Sequence, residues 1–135
     1  MTLKTETVRI QAKNRDENKT FLIEELPAYD VEWWSMRALL AMVRNKPELL
    51  DTIQAGSGTA ALIQMGLKSF LSLNPEDLKP LWDDMLRCVK IIRDPKYPHV
   101  TSAVTPQDIE EVTTLFRLRS EVIKIHTGFS IPGVL

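Results

Sequence analysis

The sequence has few of the side chains that build catalytic and metal centres. Cys88 is the only cysteine, and His99 and His126 are the only histidines among the 135 residues. An internal disulfide is therefore excluded, and a zinc site, which needs about four ligands at defined spacing, is not expected. Cys88 lies at helical spacing between Met85 and Ile92, which predicts a small buried side chain and not a reactive thiol.

The sequence also lacks an excess of one charge and a long apolar run. It contains 17 basic and 18 acidic residues, and no basic block of the kind that follows nucleic-acid phosphates. Although 44% of the residues are apolar, no run of about 18 apolar residues predicts a membrane-spanning helix. Residues 1–6 contain no apolar signal core. We therefore expect a soluble, intracellular protein with neither a membrane nor a nucleic-acid partner.

No constellation of side chains predicts catalysis. Adjacent carboxylates occur at 24–25, 83–84 and 110–111, but neighbouring residues of a helix do not converge on a substrate. Ser57 lies between two glycines without the nucleophile-elbow pattern, and its loop lacks the lysine of a phosphate-binding loop. We expect a protein that is not an enzyme and that uses no cofactor.

Alternating side chains near the N-terminus predict a small β-hairpin over residues 6–26. Val8, Ile10 and Ala12 alternate with polar residues, and after a polar stretch residues 20–23 resume a β-prone run. Because a lone hairpin is marginal in water, this one must lie on helices or pair with another strand.

Most of the remaining chain has helical spacing, and the helices are predicted over residues 30–46, 60–73, 80–93 and 105–127. Asn74–Asp77 predicts a helix start with a short first turn, because asparagine caps a helix and proline fits its first position. Pro80 is expected to interrupt that turn, so the third helix itself is predicted from Pro80. Gly128 is well placed to end the last helix. A loop is predicted at Gly56–Thr59, and residues 99–104 are either an extended loop or a third strand.

These patterns predict a mainly α fold, a bundle of four to five helices with a small N-terminal β-hairpin. A single domain is expected over residues 1–135. Its parts are the hairpin at 6–26, a helical part at 30–128 and a loose tail at 129–135.

Apolar side chains on the first predicted helix form two stripes. Trp34 belongs to one stripe, and Trp33, Met36, Leu40 and Val43 form the other. Adjacent tryptophans cannot face the same side of a helix, so one of them is a candidate for contact with a partner. The alternative is that every tryptophan lies in the core. The candidate partner-binding residues are Trp33, Trp34, Leu40, Trp82, Leu118 and Ile125.

The order of these segments resembles the tail assembly chaperones of long-tailed phages and prophages. The resemblance covers about residues 6–129 and depends on order and coverage, since no single segment is chemically diagnostic. It is carried by the strand and polar turn at 8–21, by EWWSMRALL at 32–40, by PLWDDMLRCV at 80–89, and by DIEEV and LFRLRSEV at 108–112 and 115–122.

The resemblance implies a helical, non-catalytic protein that coats the long tape measure protein before the tail tube polymerises around it. Such proteins act in the bacterial host cytoplasm and are absent from the mature virion, and some also exist as a longer frameshifted form. The expected partners are the tape measure protein, further copies of the chain and, as a second candidate, the tail tube protein. No site residues follow from the resemblance.

Two other functions fit the same sequence features. One is a structural or connector protein of the virion tail, which would remain in the finished particle. The other is a small helical regulator, which would need a basic surface stripe if it binds nucleic acid.

Overall fold

The structure is a computed structural model, and it describes residues 2–49, 51 and 68–128. The chain divides into two compact units, one from Met1–Leu26 and Met85–Leu135 and the other from Pro27–Asp84. We call them the sheet unit and the helical unit. The predicted loop at Gly56–Thr59, most of the predicted helix 60–73 and the tail 129–135 lie outside the described residues. The single domain over 1–135 stays a prediction.

The strands come in two consecutive pairs along the described chain, and helices follow each pair. A 3-10 turn precedes the third strand at Leu86–Cys88, another follows the fourth at Pro106–Asp108, and residues 68–70 are also helical. The longer elements are β1 (Thr5–Arg9), β2 (Thr20–Glu24), α1 (Ala28–Asn45), α2 (Pro75–Met85), β3 (Val89–Ile92), β4 (Ser102–Ala103) and α3 (Val112–Thr127).

The prediction of a mainly α bundle is wrong, because the protein has a mixed α/β fold with a four-stranded antiparallel sheet. The predicted hairpin is present as β1 and β2, which pair antiparallel with Val8 opposite Phe21. It is half of a larger sheet, in which β3 pairs with β2 and β4 pairs with β3. Residues 102–103 thus decide the open alternative at 99–104 in favour of a strand.

The prediction of a separate helix over residues 80–93 is also wrong, although the predicted helix start at Asn74–Asp77 is confirmed. α2 begins at Pro75 and continues through Pro80, where the missing donor frees only the carbonyl of the exposed residue Glu76. After Met85 the chain leaves the helix and forms β3. Its residues Val89–Ile92 have apolar side chains at helical spacing, but short apolar runs fit a strand equally well. Their β-branched side chains and the open edge of β2 favour the strand.

The last predicted helix is two elements. Thr105 and Asp108 form the reciprocal hydrogen bonds of a capping box, but they cap a single 3-10 turn. Ile109 and Glu111 are then extended, and α3 begins only at Val112. Gly128 ends α3 in the left-handed conformation, with φ of 79°, which confirms the predicted helix end.

One face of the sheet carries the core of the sheet unit. Val8, Phe21 and Ile91 occupy neighbouring positions across β1, β2 and β3, and all three are buried. α3 packs against β1 and β2 and contributes the buried side chains of Leu118 and Val122. Burial alternates along β2, as expected for a sheet with one covered face.

The loop between β1 and β2 is attached to the start of α3 through a buried carboxylate. Asp16 is fully buried and accepts backbone N–H groups of Glu110 at 3.0 Å and Glu111 at 2.9 Å. The Lys19 ammonium group donates to the same carboxylate at 2.9 Å. Helix N-termini leave backbone donors unpaired, so this carboxylate satisfies donors that the helix itself cannot.

Candidate protein-binding face

Helix α1 has an inner face that is buried in the helical unit. Ala38 and Ala41 are the buried residues of α1, and they pack in a cluster with Phe70, Leu73 and Leu81. Because alanine is small, it allows another helix to approach the backbone of α1 closely.

Aromatic side chains extend this inner face. The Trp34 indole N–H donates to the carbonyl oxygen of Leu81 at 3.1 Å. Its ring lies 5.3 Å from the Phe70 ring, between centroids, and the Phe70 ring lies 6.4 Å from that of Trp82. Tilted pairs at these distances are favourable beyond the area that they bury.

Two ion pairs join α1 to α2 beside the inner face. The Arg37 guanidinium donates to Asp84 at 2.7 Å, and Arg44 pairs with Asp77. Together with the Trp34 hydrogen bond, they fix the rotation of α1 about its own axis. The opposite side of α1 is therefore held facing outward.

That outward side carries large apolar residues, which we call the α1 stripe. Its members are Tyr29, Trp33, Met36 and Leu40, which are 81%, 61%, 43% and 60% exposed. They follow one another at steps of four, three and four residues, so they lie along one line of the helix. Since a buried tyrosine or tryptophan covers roughly 150–250 Å², the stripe amounts to several hundred Å² of apolar surface.

Charge changes sign along the same helix. Asp30 and Glu32 lie near the start of α1, whereas Arg44 and Lys46 lie at its end. This order complements the helix dipole. It also gives the stripe an acidic end and a basic end, which a partner of the opposite order would match.

The six predicted partner-binding residues fall in different places. Trp33 and Leu40 lie on the α1 stripe, and Trp34 and Trp82 lie half-buried on the inner side of the helical unit. Leu118 is fully buried in the sheet unit, so its side chain presents no surface to a partner. Ile125 is half-buried on α3.

Sequence reasoning named Met36 on the second stripe without choosing it as a candidate, and it missed Tyr29. The helix was predicted to begin at Asp30, which left Tyr29 outside it. The signal that finds both residues is the continuous spacing 29, 33, 36, 40 once the helix start is moved to Ala28.

Cys88 and His126, whose side chains could by type act as a nucleophile or a base, both contribute to the fold. Burial raises the pKa of the Cys88 thiol to about 11, so it stays protonated at neutral pH. In the His126 ring, Nε2 accepts the Leu26 N–H at 2.9 Å and Nδ1 lies 2.8 Å from the Val122 carbonyl oxygen. Both ring nitrogens are therefore occupied by backbone groups.

Within residues 2–49, 51 and 68–128, no three histidine, cysteine or acidic side chains gather closely enough to hold a metal ion. No helix in them has both the length and the apolar character needed to cross a membrane. Comparisons of the chain with protein-family models, with curated proteins and with solved structures found no match.

Proposed function

We propose that this protein is a tail assembly chaperone, which binds the tape measure protein of a long-tailed phage and keeps it soluble until the tail tube forms. The proposal combines the family resemblance of the sequence with one structural observation, the outward-facing α1 stripe. In this role the protein works in the cytoplasm of the bacterial host, catalyses nothing and is absent from the finished particle.

The chemistry of the stripe suits such a client. A long tape measure protein exposes apolar helical stripes before assembly, and amphipathic helices bind apolar surfaces through anchors at three- and four-residue spacing. Tyr29 and Trp33 give large contact area with few rotatable bonds. Because α1 is held by Trp34, Arg37 and Arg44, little ordering cost is added when a client binds.

Co-expression with the tape measure protein tests the proposal. The wild-type chain is expected to keep the client in the soluble fraction and to elute with it in gel filtration. The double substitution Trp33→Ser, Leu40→Ser should abolish both effects, because it removes the centre of the stripe. The matched control is Phe116→Ser on α3, which removes a residue of similar exposure, 49%, from another helix.

Two results would contradict the proposal. One is a wild-type chain that neither solubilises nor co-elutes with the client. The other is stoichiometric presence of the chain in purified particles by mass spectrometry, which would favour the connector alternative.

A further inference from the structure

We propose that α1 pairs antiparallel with α1 of a second copy, so that the α1 stripe is covered by another stripe in the free protein. The dimer itself does not depend on the proposed function. Only its consequence does, namely that a client helix displaces the second copy from the same surface.

The spacing of the stripe is that of a two-helix contact. Tyr29, Trp33, Met36, Leu40 and half-buried Val43 follow in alternating steps of four and three residues. The mean step of 3.5 residues keeps one apolar line facing a second helix over its whole length. α1 has 18 residues, and the line from Tyr29 to Val43 is about 21 Å long at about 1.5 Å per residue.

The charges select an antiparallel orientation. When Met36 lies opposite Leu40 of the second copy, Asp30 lies near Arg44 of that copy, and Glu32 lies near its Lys46. The two-fold axis repeats both pairs. Arg44 is already paired with Asp77 of its own copy, so the two Glu32–Lys46 contacts are the ones that bring new opposite charges together at the rim. A parallel pair instead brings the two acidic ends together and the two basic ends together, which costs free energy.

The centre of the antiparallel pair is also compatible. Arg37 approaches its own symmetry mate there, but each copy already neutralises it with Asp84 at 2.7 Å. Leu39 is half-buried on the other side of the line and meets Leu39 of the second copy. The two-fold contact thus has an apolar middle and charged ends, like other self-complementary interfaces.

The dimer is expected to be weak and reversible. A standard interface buries about 800 Å² per partner, and the α1 stripe is smaller than that. We expect a dissociation constant on the order of 10 μM, since interfaces below the standard size are typical of weak, transient complexes. Copies that separate at this concentration can exchange their partner for a client helix.

Charge exchange in the full-length chain tests the pairing, measured by sedimentation equilibrium without any client. Glu32→Lys and Lys46→Glu alter exposed residues. Because positions 32 and 46 face each other twice in the dimer, each single substitution creates two like-charge pairs. Each single variant should weaken the dimer by about tenfold, and the double variant should restore it. Val112→Ser, at an exposed residue of α3, is the control that should leave association unchanged, and circular dichroism reports whether each variant is folded.

Disulfide trapping tests the orientation. Two chains carrying Cys88→Ser, one also with Glu32→Cys and the other with Lys46→Cys, are mixed and oxidised. The antiparallel pair predicts a dominant cross-link between positions 32 and 46. A wild-type chain that stays monomeric well above 10 μM, or dominant 32–32 and 46–46 cross-links, would overturn the proposal. Because no client is present, this result is separate from the test of tape measure binding.

Discussion

Buried positions in the two units are occupied by different kinds of side chain. In the sheet unit, α3 turns Leu118 and Val122 onto the sheet, and the charged side chain of Asp16 is enclosed with its partners. In the helical unit, α1 buries two alanines and leaves Tyr29 and Trp33 outside. The sheet unit thus encloses a charge together with its partners, whereas α1 buries alanine and exposes tryptophan, the pattern that the proposed contact with a partner requires.

A second buried carboxylate of the sheet unit, that of Asp108, also has several hydrogen-bond partners. Asp108 accepts both terminal nitrogens of Arg93, at 2.8 Å and 3.1 Å, and the N–H of Thr105 at 2.7 Å. Hydrogen bonding to Arg93, followed by that to Thr105, holds the pKa of Asp108 well below its ordinary value. In the part of the chain that the structure describes, every buried polar side-chain atom has a hydrogen-bond partner.

The largest effect is expected from Asp16→Ala. The substitution leaves the N–H groups of Glu110 and Glu111 and the ammonium group of Lys19 without their buried acceptor. We expect the free energy of unfolding to fall by about 3 kcal/mol, measured by urea denaturation. The control is Asp94→Ala, which removes an exposed acceptor for the Lys96 N–H and should cost less than about 0.5 kcal/mol. Equal losses of stability would show that the buried carboxylate of Asp16 contributes no more to folding than the exposed carboxylate of Asp94.

The second effect is the dependence of stability on acid. Burial by itself raises the pKa of Asp16, but hydrogen bonds from Thr114, Lys19 and two backbone N–H groups outweigh it and lower the pKa from 3.8 to about 2. The unfolded state therefore binds more protons between pH 4 and pH 2. The contribution of Asp16 is fully present above pH 4 and is lost as the pH falls towards 2, by about 2 kcal/mol.

Denaturation curves recorded between pH 5 and pH 2 measure this loss. Asp16→Asn removes the titrating group, so the variant should be less stable at pH 5 but should lose about 2 kcal/mol less on acidification than the wild type. A variant whose stability falls as steeply as that of the wild type would assign the acid sensitivity to other carboxylates, such as Asp108.

Prediction from sequence succeeded where one local signal determines the structure. Alternation at Val8 and Ile10 identified the hairpin, and Gly128 marked the helix end because its φ of 79° suits glycine. It failed at Val89–Ile92, where four residues satisfy both a helical and an extended pattern. What decides between them is the free edge of β2, a contact with a strand that lies more than 60 residues earlier in the chain.

The residues of the candidate face were predicted only in part, again because contacts with distant parts of the chain decide the outcome. The sequence shows that Trp33 and Trp34 point in different directions, but it does not show which one faces the core. That choice depends on Phe70 and Leu81, which receive Trp34 and come from later in the chain. Leu118 has the same apolar character as Leu40, and only the sheet beneath α3 makes one buried and the other exposed.

A third prediction compares the two tryptophans. Trp34→Phe removes the indole donor to Leu81 and part of the contact with Phe70, so the free energy of unfolding should fall by about 1.5 kcal/mol. Trp33→Phe keeps an aromatic ring on the exposed stripe and should change it by less than about 0.5 kcal/mol. Urea denaturation at low protein concentration measures both, because dilution removes any contribution from association. Equal losses would show that Trp33 also supports the fold.

The smallest effect is expected from Leu40→Ser, and it tests the helical unit most directly. Leu40 is 60% exposed, so the substitution should lower stability by only about 0.3 kcal/mol, mainly through helix propensity. Ala38→Ser, two residues earlier on the buried face, places a hydroxyl group in the core and should cost about 1–2 kcal/mol. Normally a leucine contributes far more to folding than an alanine of the same helix. The reversed order is expected because Leu40 is mostly exposed whereas Ala38 is buried, and it leaves Leu40 free for the proposed contact. A large loss from Leu40→Ser in the monomer would show instead that Leu40 supports the fold.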